Sequence, residues 1–191
     1  MNVLILLGAG FALLAYIPLW IQIPSGKVKQ NLLSWVLWGM LEIILTIAVV
    51  AQKGNFLLFS AYFMGTGITV WMILRTQGRA RWTRFESFVI TLVILCLVIW
   101  YTSGSKVATI ASTLAMFIAG VPQLVDAWKR PREMPLLTSL LYLTANSLSS
   151  AGGKNWSIEE RMPATCAALY SLTTIIFILR RYRATPTTAS A

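Results

Sequence analysis

Histidine is absent from this chain, and only six acidic residues stand against sixteen Lys and Arg, with charged residues making up 12% of the whole. Without histidine, His-based nucleophilic triads and most zinc and haem sites are excluded. Its two cysteines, Cys96 and Cys166, lie in separate apolar runs with no metal-ligand spacing and read as small buried hydrophobes. There is no glycine-rich phosphate loop. No lysine falls inside an apolar run to carry a Schiff base. These absences set an enzyme aside and imply neither a metal nor an organic cofactor.

What the chain has in excess is apolar surface. Hydrophobic residues reach 57%, against about 45–50% in ordinary soluble domains, so most of the chain belongs in lipid. A net charge of +10 would suit nucleic acid, but the charges fall in short gaps between apolar runs. That pattern points to lipid headgroups instead.

A bilayer core of about 30 Å takes about 20 helical residues. Seven stretches approach that length: 3–23, 32–51, 56–74, 85–101, 107–127, 136–151 and 162–179. The first lacks a basic leader segment and outruns a signal-peptide core, so it reads as a retained span. The sixth carries Thr144, Asn146, Ser147, Ser149 and Ser150, which cannot face lipid cheaply, so it is expected to be the most enclosed helix.

Alternate gaps hold Lys27 and Lys29; Arg75, Arg79, Arg81 and Arg84; Lys129, Arg130 and Arg132; and Arg180, Arg181 and Arg183, twelve in all, while the other side holds four, Lys53, Lys106, Lys154 and Arg161. The bias predicts an N-terminus outside and a C-terminus in the cytoplasm, in a plasma or inner membrane. Trp20, Trp71, Trp82, Trp100, Tyr101, Trp128 and Tyr182 lie near span ends and read as interfacial anchors. Residues 184–191 are small and polar and read as a disordered tail.

Shifting the chain against itself by 104 residues places Pro18 on Pro122, Ser34 on Thr138, Leu37 on Leu141, Trp38 on Tyr142 and Glu42 on Asn146. The predicted fold class is therefore an all-α integral membrane protein built as two parallel three-helix bundles joined by a linker helix. Residues 1–76 form the first bundle, 77–105 the linker and 106–183 the second bundle. An odd linker span is what returns the chain to its starting side.

Glu42 is the eleventh residue of a twenty-residue span, where a charge costs about 2.5–3.5 kcal/mol even on a lenient scale. It is the acidic residue at mid-membrane depth and the candidate for proton exchange. Ser34, Trp38, Glu42 and Thr46 recur at four-residue steps on one helix face, and Thr138, Tyr142, Asn146 and Ser150 repeat that stripe. Each stripe sets an aromatic platform one turn from a hydrogen-bonding group, as a pocket for a small polar solute requires.

Pro18 and Pro122, at equal places in the halves, read as paired hinges. Gln22, Gln123 and Asp126 read as part of an inner gate, and Gly65 and Gly67 as sites of close helix approach.

Gly120-Val121-Pro122-Gln123-Leu124 resembles the proline-glutamine motif of the PQ-loop family, and Tyr16-Ile17-Pro18-Leu19-Trp20 resembles a degenerate first copy. The resemblance extends over nearly the whole chain, to a superfamily that includes SWEET sugar facilitators, lysosomal amino-acid exporters of the cystinosin type and KDEL receptors. It implies alternating access around the prolines, with solute held between the bundles.

Trp38 with Ser34, and Tyr142 with Thr138, resemble the aromatic and hydroxyl pairs of SWEET proteins. Where sugar facilitators carry an asparagine on helices three and seven, this chain offers Thr66 and Tyr170 as the mid-span polar groups. The expected function is transport of a small solute such as a sugar or amino acid, with protons as a candidate co-substrate and a homo-oligomer as a candidate assembly. The alternative is a receptor or sorting protein that binds a peptide or lipid without moving it.

Overall fold

The computed structural model describes residues 2–26, 32–76, 84–131 and 134–183. Among these all regular structure is α-helical: α1 (Val3–Leu14), α2 (Ile17–Gln22), α3 (Leu32–Ala51), α4 (Leu57–Thr76), α5 (Arg84–Lys129), α6 (Leu136–Ala151) and α7 (Ile158–Arg183). Five helical segments are long and apolar enough to cross a membrane, with α1 and α2 counted as one. That build is compatible with a membrane protein. At 16 residues α6 is shorter, about 24 Å. Lys27, Lys29, Arg79, Arg81, Trp82 and Arg132, together with the 184–191 tail, lie outside the described residues.

The first predicted span is not one continuous helix. It breaks at Ala15 and Tyr16, and Pro18 stands in the first turn of α2. Proline has no N–H to offer Leu14, and its ring clashes with that carbonyl, so α1 stops there and a new turn begins where proline is tolerated.

The fourth and fifth predicted spans fall within one helical run, α5, whose backbone leaves helical geometry at Gly104 (φ 79°, ψ 176°). Leu37, Leu41 and Ile44 of α3 share one core cluster with Val89, Val93 and Cys96 and also with Ala115 and Ala119. A straight helix would hold Val89 and Ala119 about 45 Å apart, so the chain must reverse between them. Gly104 supplies the left-handed φ that a side chain resists.

Helix α1 packs on α4 and α6, α3 on α4 and α5, and α7 on α5 and α6. A second core cluster joins Tyr16, Leu45, Val49, Leu58 and Tyr62 to Ala145 and Ala164. Large apolar side chains such as Ile21, Ile94, Leu95 and Val98 stay exposed on the outer surface, as lipid-facing residues would.

Two small-residue expectations separate here. A Cβ at Gly65 would run into the Tyr16 ring, whereas one at Gly67 would meet nothing within 4 Å, so only Gly65 mediates close packing. Trp20 is no simple anchor either: its indole N–H donates to Thr69 Oγ1 at 3.0 Å and its ring stacks on Tyr16. Trp71 and Trp128 remain about half exposed and Tyr101 almost fully so, consistent with interfacial rings.

The α6–α7 corner is tied by Arg161, whose Nε donates to Asn155 O at 2.8 Å, Nη1 to Ser150 O at 2.8 Å and Nη2 to Gly153 O at 2.7 Å. Ser150 belongs to the last turn of α6, whose carbonyls lack partners further along the helix, and the other two carbonyls belong to the loop that follows it. Arg161→Ala should lower stability by about 2–3 kcal/mol. A thermal melt in detergent checks this, and an unshifted melting temperature would show that the corner contributes nothing.

Candidate functional site

A cavity of about 940 Å³ lies among the helices. It runs from Phe59 and Pro163 at its floor, past Glu42, Tyr142 and Asn146, to helix ends at Gln22, Ser34, Phe85, Arg130 and Met134. Of the residues expected to bind solute, Ser34, Trp38, Glu42, Thr138, Tyr142, Asn146 and Tyr170 line it. Thr66 does not. It is buried behind the wall, bonded to the Tyr16 hydroxyl at 3.1 Å and within hydrogen-bonding reach of the Glu42 carboxyl.

Glu42 is 2% exposed, and its Oε2 is buried without a hydrogen-bond partner. Thr138 Oγ1 is likewise unpartnered. Most other polar groups on the wall are held by the protein itself. The Tyr62 hydroxyl donates to Asn146 Oδ1 at 2.8 Å, and Asn146 Nδ2 donates to Ser171 Oγ at 3.4 Å. Ser34 donates to Glu86 Oε1 at 2.9 Å.

Glu86 was not among the expected site residues, yet it is 2% exposed at the start of α5. Its position at the edge of an apolar run was the available signal. Thr46 and Ser150, the ends of the two predicted stripes, do not reach the cavity: Thr46 Oγ1 is buried and unpartnered, and Ser150 pairs with Thr165 at 2.7 Å.

The prolines differ in local structure. Pro122 lies inside continuous α5 and lines the cavity with Gln123, whereas Pro18 opens α2 away from it, its carbonyl accepting from Gln22 Nε2 at 2.9 Å. Gln22 lines the cavity too, while the Asp126 side chain lies outside the described residues.

A size exchange accompanies this difference. In the first half Tyr16 fills the space over Gly65, its hydroxyl donating to Tyr62 O at 3.1 Å. In the second half the residue matching Tyr16 is Gly120, and Tyr170, which matches Thr66, fills the space from the opposite helix and donates to Gly120 O at 2.8 Å. One tyrosine thus packs each helix pair, supplied from opposite partners.

The rings missed in the sequence include Tyr16, Trp35, Phe59 and Tyr62. They line the cavity with Trp38 and Tyr142, but their spacing falls off the four-residue stripes, and only the packing of α1 and α3 on α4, and of α1 on α6, gathers them.

At the end away from Gln22 and Arg130 the helices are closed. Asn55 Nδ2 donates to Ser149 O at 3.1 Å and Oγ at 2.9 Å, Asn2 Nδ2 donates to Gly152 O at 3.0 Å, and Gln52 Nε2 donates to Thr109 Oγ1 at 2.7 Å. At Gly8 a Cβ would stand 2.9 Å from Ala145 O, so α1 and α6 meet backbone to backbone.

Compared with known proteins, the chain matches no family model, no curated protein and no solved structure.

Proposed function

We propose that this chain is a membrane transporter that moves a small polar solute by alternating access between two three-helix bundles joined by a linker helix. In this reading α1–α2, α3 and α4 form one bundle, the second stretch of α5 with α6 and α7 forms the other, and the first stretch of α5 is the linker. This is the arrangement implied by the PQ-loop and SWEET resemblance. The N-terminus lies outside and the cavity mouth faces the cytoplasm of a plasma or inner membrane, as the charge bias predicts.

The observation that carries the reading is the placement of Glu42 and Asn146, the paired centres of the two repeats, on the wall of one cavity that reaches one end of the bundle and is sealed at the other. A carrier needs a central site with one side closed at a time. Glu42, as the carboxyl on that wall, is the group through which a proton gradient would be coupled.

The test is a lock. A double variant Asn55→Cys with Ser149→Cys, in a background where Cys96 and Cys166 are alanine, should form a disulfide across the sealed end on oxidation. In proteoliposomes, counterflow of labelled glucose, alanine or phenethylamine should occur in the reduced state, stop on oxidation and return with reductant. Exchange that continues undiminished through the cross-linked protein would rule out alternating access at this end.

A further inference from the structure

We infer that the solute is an organic cation, an amine or quaternary ammonium with an apolar or aromatic body, and that it and a proton occupy Glu42 in turn. The inference rests on reading the cavity as the solute site, and deepens it by naming what the site selects.

Six aromatic rings on the cavity wall form one chain of contacts. Centroids lie 6.2 Å apart for Trp38 and Trp35, 6.2 Å for Trp35 and Tyr16, 5.7 Å for Tyr16 and Tyr142, 5.6 Å for Tyr142 and Tyr62, and 6.1 Å for Tyr62 and Phe59. Their interplanar angles run from 56° to 90°, so the rings meet tilted or edge to face, in a cluster that lines the cavity. A ring face carries negative quadrupole density and attracts a cation, more strongly where water is excluded.

The hydrogen-bonding inventory argues the same way. A sugar in a closed site needs many donors and acceptors, but Tyr16, Tyr62, Asn146, Ser34 and Tyr170 are already bonded to protein groups. Among the buried side-chain atoms of the described lining residues, Glu42 Oε2 and Thr138 Oγ1 are the two without a hydrogen-bond partner. A single acceptor that can carry charge, set among rings, is matched by an ammonium group far better than by a polyol.

Sharing follows from the same oxygen. A protonated carboxyl must release its proton to water before the resulting carboxylate can pair with a cation, and a returning proton displaces the cation, so one charge moves each way. The groups facing Glu42 are Tyr16, Tyr62 on α4 and Tyr142 on α6, with Tyr170 of α7 and Arg130, just beyond α5, on the same cavity; the Glu86 carboxyl of α5 is held by Ser34, eight residues before Glu42 on α3. At the ring cluster itself, only the Glu42 carboxyl belongs to a class that titrates in the acid to neutral range. Arg130 stands ten residues beyond Gly120, about 15 Å along α5, at the mouth and not at the ring cluster.

The purified full chain in detergent, titrated by tryptophan fluorescence from about pH 5 to about pH 8, tests this with four probes. Phenethylamine and benzyltrimethylammonium should bind at least about tenfold tighter than neutral phenethyl alcohol, glucose should bind more weakly still, and cation affinity should fall several-fold toward the acid end. Phenethyl alcohol or glucose binding the wild-type protein as tightly as the cations would overturn the inference, and no variant needs to fold for that result.

In Glu42→Gln the cations should drop to the affinity of the alcohol, and unchanged cation binding would equally overturn it. Counterflow separates the two readings. Amine binding without exchange sinks the transporter and leaves the cation site, while glucose exchange without amine binding does the reverse.

Discussion

Glu42→Gln is expected to reduce solute exchange in proteoliposomes at least tenfold and to leave the residual rate flat with pH. The glutamine amide keeps the shape of the carboxyl but neither carries charge nor titrates. In the wild-type protein Glu42 lines the cavity and its Oε2 oxygen is buried and unpartnered, so its protonation decides whether the wall carries a negative charge. Lowering the pH on the loading side should therefore slow wild-type exchange of a cation. The phenols of Tyr16, Tyr62 and Tyr142 lie near the same carboxyl and ordinarily ionise only near pH 10, and the other buried carboxyl, Glu86, is held by Ser34, eight residues before Glu42 on α3, so removing Glu42 should remove the dependence that arises at the ring cluster. A variant whose exchange keeps its pH profile would take Glu42 out of the mechanism.

Gly8→Leu should be the most damaging substitution in α1. A Cβ there would stand 2.9 Å from Ala145 O and 3.1 Å from Ser149 N, both backbone atoms of α6 that no rotamer change can move aside. Overpacking of this kind costs about 1–3 kcal/mol, and the remaining leucine atoms must wedge the helices further apart. The Asn2–Gly152 bond spans the same contact, and Asn55 holds Ser149, against which Gly8 packs, so both bonds should fail with it and open the sealed end.

Gly10, two residues along, has nothing within 4 Å of its Cβ position, and Gly10→Leu should change stability by less than about 0.5 kcal/mol. Thermal melts of the two variants, with thiol labelling of Asn55→Cys in each background, make the comparison. Equal melting temperatures would show that α1 and α6 are not held by backbone contact.

Several features of the site were legible in the residues alone. The four-residue recurrence of Ser34, Trp38 and Glu42, and its echo at Thr138, Tyr142 and Asn146, placed six side chains on two helix faces, and all six line the cavity. Periodicity can do this because α-helical geometry fixes which residues share a face. It could not show that Ser34 is engaged by Glu86, or that Thr66 stands behind the wall supporting Tyr16, since those are contacts between helices distant in the chain.

Composition and spacing by themselves determined that the chain is helical and apolar, where α3 begins and ends, and which groups share a helix face, because each of these is set by neighbours within a turn or two. Tertiary structure alone decided the reversal at Gly104, the unequal roles of Pro18 and Pro122, and the gathering of six rings on the wall of one cavity. Those outcomes depend on which helices cross and how closely. In this chain a few small residues, Gly8 and Gly65 on one side and Gly120 on the other, set that closeness by letting backbone or ring approach where any side chain would stand in the way.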